Sequence, residues 1–145
     1  MAPNDRIRNT RGEGSRLRDE ILTAAERIID SAPVVGPLSL RGLAREAGIS
    51  APSIYLHFTD VRGVEDAVLE RAFADLDQVV ATALETTTVP DERLVAGCLA
   101  YVRYAWDHRA RYRFMFAGGG FASGAVTTFA RIEGALQDCV SSQVS

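Results

Sequence analysis

Apolar residues recur along the chain at intervals of three and four, and nowhere do they alternate as a half-buried strand requires. From Ser15 onward, Leu17, Ile21, Ala24, Ala25, Ile28 and Ile29 fall on one side of a helix, which Pro33, Gly36 and Pro37 stop. Ser39 has the chemistry of an N-cap and opens a second, short helix through Ala47. Gly48 ends that helix, because glycine takes the left-handed conformation of a tight turn without a Cβ clash. Ser50 caps a third helix, with Pro52 in the first turn, where a missing N–H costs nothing. Asp60 caps a fourth that runs to about Glu85 and carries Val61, Leu69, Phe73, Leu76, Val80 and Leu84 along one face. At the α-helical rise it is about 40 Å long, enough to join the first three helices to the second half of the chain. Pro90 opens a fifth helix, with Asp91 and Glu92 where the dipole favours acids, and the helix ends near Asp107. Arg109 to Ala117 is a short aromatic segment, Gly118 to Gly120 a break, and a last helix runs from about Ala122 to Gln143. The pattern predicts an all-α chain.

Composition narrows the class. The chain has 145 residues, 47% of them hydrophobic, so it can bury a core. No apolar run approaches the roughly 18 residues of a membrane span. The polar start from Met1 to Gly14 lacks the apolar stretch of a secretory leader. The expectation is a cytoplasmic protein without a membrane partner. Cys98 and Cys139 fit no disulfide or metal spacing and are expected to be reduced thiols in a helical core. Neither a metal nor a cofactor is expected. Net charge is −3, but it is unevenly spread: residues 1–62 carry nine Arg against eight acids, and residues 63–145 seven against eleven. Residues 1–14 read as a flexible basic arm holding Arg6, Arg8 and Arg11. Such an arm fits insertion into a DNA minor groove, and equally a solvated tail.

The segment SLRGLAREAGISAPSIYLHF, Ser39 to Phe58, carries the strongest signal. Two short helices meet at a turn containing Gly48, and Leu40, Leu43, Ala44, Ala47, Ile49, Ile54 and Phe58 are placed to pack inward. The small Ala44 and Ala47 let the helices cross closely. That leaves Ser50, Ser53, Tyr55 and His57 as the polar set of the second helix, whose first turn is free to enter a major groove. Spacing alone also fits a plain helical hairpin with Tyr55 and His57 packed inside it.

Residues 15 to about 75 resemble the DNA-binding domain of the tetracycline-repressor (TetR) family. The resemblance rests on ILTAAERII in the first helix, SLRGLAREAGIS across the second helix and turn, and SIYLHF in the third. It implies that Ser39 and Arg41 meet phosphates, that Ser50 stands at the head of the recognition helix, and that Ala51, Pro52 and Ser53 face the bases. Tyr55 and His57 would hold the DNA backbone. The family usually opens its fourth helix with a phosphate-gripping lysine; here Val61 stands in that place and Arg62 is the expected substitute. The recognition helix also lacks Arg, Lys, Asn and Gln, the residues that read bases bidentately, so specificity is expected to lean on the arm and on DNA shape.

The second half, residues 76–145, resembles the family more loosely, through AYVRYAWDHRARYRFMF. The resemblance implies a helical regulatory domain that binds a small apolar or amphipathic effector. Phe73, Leu76, Val80, Cys98, Tyr101, Ala105, Tyr112 and Met115 are the expected lining, although ordinary core packing explains the same residues. Family members usually carry two further helices that form the dimer interface; these are expected to be missing here through truncation. An enzyme is not expected. His57 and His108 have no nucleophile and carboxylate arranged around them, and Gly118 to Gly120 lacks the flanks of a phosphate loop. The expectation is a regulator, repressor rather than activator, that binds palindromic operator DNA as a homodimer. The rival is a helical protein- or ligand-binding module without DNA.

Overall fold

The computed structural model describes residues 13–32, 34, 36–117 and 123–144, and every regular element among them is a helix. They are α1 Glu13–Ser31, α2 Leu40–Ala47, α3 Ala51–Ile54, α4 Val61–Leu84, α5 Pro90–Asp107, α6 Arg109–Phe116 and α7 Ser123–Gln143. The all-α expectation holds. The basic arm expected over residues 1–14 and the break at Gly118 to Gly120 fall mainly outside the described residues, with Glu13 and Gly14 already in α1.

Local chemistry sets the helix ends. The Ser39 hydroxyl accepts from the Gly42 N–H at 3.1 Å, and the Asp60 carboxylate accepts from the Gly63 N–H at 2.8 Å. Each satisfies a first-turn donor that has no partner within its own helix. Gly48 adopts φ 69°, and the N–H groups of Gly48 and Ile49 return to the carbonyls of Arg45 and Ala44. These paired bonds close α2 and reverse the chain. Pro90 stands in the first turn of α5, as expected.

Two cores are stacked along α4. The first joins Ile21, Leu22, Ala25 and Ile29 of α1 to Leu43 and Ala44 of α2, to Ile54 and Phe58, and to Val64, Ala67 and Val68 of α4. The second joins Ala72, Phe73, Leu76, Val80 and Leu84 of α4 to Tyr104, Met115, Ala125 and Ala135. Helix α4 thus belongs to both halves. It is buried on more sides than a single stripe, since α1 packs on its first half and α5 and α7 on its second. Val61 and Leu69, expected on the buried face, are half-buried.

Three differences from the sequence reading have physical causes. The aromatic segment after Asp107 is a helix, α6, opened at His108, where the Tyr112 N–H reaches the His108 carbonyl at 2.7 Å. The third helix, expected to run on past Tyr55 and His57, is short: after Ile54 the chain turns through Leu56 and His57, whose N–H groups bond three residues back to Ser53 and Ile54. Both cysteines are free, but Cys98 is exposed and Cys139 half-buried, so neither sits in the core. Helix α5 buries Gly97 and Tyr104, and at 3.6 residues per turn the position after Gly97 is rotated about 100° away.

Candidate nucleic-acid interface

The α2–turn–α3 unit rests on α1 through Leu43, Ala44 and Ile54, all buried, with Leu40, Ile49 and Ala51 packed against the same cluster. Ala47 is half-buried. Small residues at the crossing keep the two short helices close, and the polar positions remain outside. Ser39, Arg41, Ser50, Pro52 and Arg62 are exposed, and Ala51, Ser53 and His57 are half-buried. Tyr55 is 55% exposed, which removes it from the hairpin interior and leaves its hydroxyl free to reach a partner. The His57 ring lies beside Gly14 at the start of α1, where an added Cβ would meet its Cε1 at 3.8 Å.

Hydrogen-bond supply fits phosphate contact. The Ser39 oxygen is occupied by the Gly42 N–H, but its O–H is still a donor. Ser50, expected to cap α3, stands at the N-cap with its hydroxyl 2.7 Å from that of Ser53 rather than on a backbone N–H. The pair fixes both side chains at the head of α3.

Arginine pairing adds what the sequence reading missed. Arg16 pairs with Glu20, and Arg27 with Glu46. Arg41, Arg45 and Arg62 have no carboxylate partner among the described residues, and Arg18 instead lies 5.1 Å over the Phe58 ring. Arg45 follows Arg41 by four residues, so the two share one face of α2. That spacing was available in the sequence. Leu56, 75% exposed next to Tyr55, was also overlooked, because only its neighbours Ile54 and Phe58 follow the inward pattern.

The residues expected to line an effector site divide. Phe73, Leu76, Val80 and Met115 are buried in the second core, with Tyr101 packed against them. Tyr101 and Tyr112 join hydroxyl to hydroxyl at 2.9 Å, with their rings edge to face. Burial first, and then the bond to Tyr112, push the Tyr101 phenol well above its usual range. Phe73 meets Phe116, and Tyr101 meets Phe129, so aromatic packing occupies this region. Ala105 is half-buried, and Cys98 lies on the exposed side of α5. A groove of about 610 Å³ opens elsewhere, between α4 and α7, lined by Leu69, Phe73, Ala74, Asp77, Gly124 and Thr127 together with Asp66 and Glu70. Of the expected lining, only Phe73 reaches it.

The chain is similar in architecture to a TetR family transcription regulator from Marinobacter aquaeolei, with a TM-score of 0.64 at 16% identity, over 91% of this chain and 69% of that one. The chain has the TetR-family fold. A protein of unknown function from Rhodococcus sp. RHA1 shares it, with a TM-score of 0.63 at 28% identity, over 92% of this chain and 66% of the other. In sequence the chain is 32% identical over 109 residues to the HTH-type transcriptional activator FasR of Mycolicibacterium smegmatis, across 71% of this chain and 49% of that protein. It therefore spans about half of FasR's length. No family model matches the chain. Both relatives of stated function are transcription regulators, not enzymes. No helix among the described residues is long and apolar enough to cross a membrane.

Proposed function

We propose that this TetR-type chain is a transcription regulator that binds palindromic operator DNA through α2 and α3 as a homodimer and responds to a small apolar or amphipathic effector. The observation that carries this reading is the α2–turn–α3 head itself. It offers exposed Arg41 and Arg45 on α2, exposed Tyr55 at the end of α3 and exposed Arg62 at the start of α4. Ser39, Arg41, Tyr55, His57 and Arg62 position the head on phosphates, while Ala51, Pro52 and Ser53 meet base edges, with apolar contact to thymine methyls prominent. Residues 1–14 act as the arm, 15–75 as the DNA-binding domain and 76–145 as part of the regulatory domain.

Regulation runs along α4. Its first half is packed in the DNA-binding core and its second half in the regulatory core. Near its start, the Glu65 carboxylate accepts from the Leu38 N–H at 3.1 Å, just before α2. An effector that repacks Phe73, Leu76 and Val80 therefore tilts the element to which the DNA-reading head is attached. Two heads must sit about 34–36 Å apart to occupy successive major grooves, so a small tilt is enough to release one.

Repression by release of this kind is the first reading. A specific observation supports activation as the second: the relative FasR is an activator. Selection of bound duplexes from a random pool tests DNA recognition. A recovered palindrome supports the reading, and recovery without any shared sequence contradicts it. Placing that palindrome upstream of a reporter then separates repressor from activator by the sign of the response.

A further inference from the structure

The third helix tightens along its outer side. The Ser53 N–H donates to the Ser50 carbonyl at 3.0 Å, and the Leu56 N–H donates to the Ser53 carbonyl at 3.4 Å, each three residues back. In a three-residue turn the side chains at i and i+3 stand in one row, whereas at 3.6 residues per turn they drift apart. Ser50, Ser53 and Leu56 are therefore aligned, and the 2.7 Å separation of the two serine hydroxyls shows the first pair in register. Ile54 and Phe58 turn into the first core, which leaves this row outside it: Ser50 and Leu56 are exposed and Ser53 is half-buried.

Leu56 is the apolar member of the row and is 75% exposed, more than Tyr55 beside it. One exposed leucine needs no explanation by itself. This one continues the line of Ser53, which meets base edges in the reading above. Its side chain carries neither donor nor acceptor, so it matches none of the hydrogen-bonding groups that a base pair presents. The apolar group in the major groove is the 5-methyl of thymine. Charge on the two elements that flank α3 favours DNA as the occupant. Arg41 and Arg45 on α2 and Arg62 on α4 are exposed and have no carboxylate partner among the described residues. The acids of the same segment are engaged, Glu46 by Arg27 and the Asp60 carboxylate by the Gly63 N–H.

We propose that Leu56 is a specificity-determining residue of the DNA-reading head, packing against a thymine 5-methyl group at one position of each operator half-site. The inference rests on the DNA-binding reading and adds to it a residue whose discrimination is apolar and read through a single methyl group.

Operator duplexes in which one thymine at a time is replaced by uracil test it, because the exchange removes the methyl and leaves every hydrogen-bonding group in place. Affinities are read by fluorescence anisotropy with the 145-residue chain. Burying one methyl is worth about fourfold in affinity, so at one thymine position the exchange should weaken binding by about fourfold, and by roughly fifteenfold when made in both half-sites. Leu56→Ala should abolish that loss at that position alone, with uracil elsewhere behaving as in the parent protein. Leu56→Met, which keeps the apolar bulk, should retain the loss. A uracil profile that is the same in the parent and in Leu56→Ala would overturn the proposal. So would a Leu56→Ala defect shared equally by all duplexes, the mark of a sugar–phosphate contact. In either case a recovered palindrome leaves the DNA-binding reading standing, whereas a chain that selects no duplex overturns both.

Discussion

Replacing Arg111 by methionine tests how firmly the two halves of the molecule are clamped together. Arg111 on α6 reaches the last turn of α1, where its Nε and Nη2 donate to the two oxygens of Asp30 at 3.2 and 2.5 Å. Its third nitrogen lies 3.9 Å from Asp75 on α4. The side chain is only 14% exposed. Burial disfavours its charge, yet the bonds and charge of Asp30 outweigh that, and the guanidinium is held more firmly protonated than usual. Methionine keeps much of the apolar stem and removes the fork. Breaking a fully buried pair costs about 3–5 kcal/mol, because it strands a charge. Here Asp30 and Asp75 are 40% and 53% exposed and rehydrate when released, so the loss falls to about 1–2 kcal/mol. For a chain of this size that lowers the melting temperature by about 3–7 °C. Thermal unfolding followed by circular dichroism reads it, with Arg131→Met as the control, since that arginine pairs with Asp77 at a more open site. A double-mutant cycle with Asp30→Asn isolates the pair. If Arg111→Met melts no lower than Arg131→Met, or the cycle shows no coupling, Arg111 is not a clamp.

The same geometry sets three further outcomes. Gly124→Ala should cost about 1–3 kcal/mol in denaturant unfolding, since its Cβ would fall 2.4 Å from the Phe73 Cβ, whereas Gly97→Ala should cost less because it meets a rotatable Leu84 methyl at 2.7 Å. Tyr101, raised above its ordinary value of 10.0, stays protonated in the fold after the unfolded chain has ionised, so stability should fall as pH rises past 10.0 and the fall should shrink in Tyr101→Phe melts. Arg41→Ala and Tyr55→Phe should weaken binding to all duplexes alike while Ser53→Ala changes which duplex is preferred, as competition between operator variants would show.

The legible part of the fold was the part written in local chemistry. Ser39, Gly48, Asp60 and Pro90 each mark a helix boundary through their own side chain or backbone freedom, and the structure has those boundaries there. The inward set Leu43, Ala44, Ile54 and Phe58 came from three- and four-residue spacing. What stayed hidden depends on partners distant in sequence. Arg111 and Asp30 are 81 residues apart, and nothing near either one announces the other. The exposure of Cys98 depends on which side of α5 meets α4, and apolar residues on both sides of that helix left its orientation open. The early end of α3 reflects bonds three residues back at Leu56 and His57, in a segment whose side chains suit a longer helix equally well. Among the proposed DNA contacts, Arg45 was within reach of the sequence, since its four-residue offset from Arg41 needs only the helix itself.

The central claim is that the α2–α3 head grips phosphates, and the salt dependence of duplex binding tests it most directly. Fluorescence anisotropy with the recovered operator, repeated across a series of salt concentrations, gives log K against log salt. If each of two heads neutralises about three phosphates, the slope is near −5, and Arg41→Ala in both heads makes it shallower by about two. A slope near zero, or one that Arg41→Ala, Arg45→Ala and Arg62→Ala all leave unchanged, would contradict the assignment of this surface to DNA.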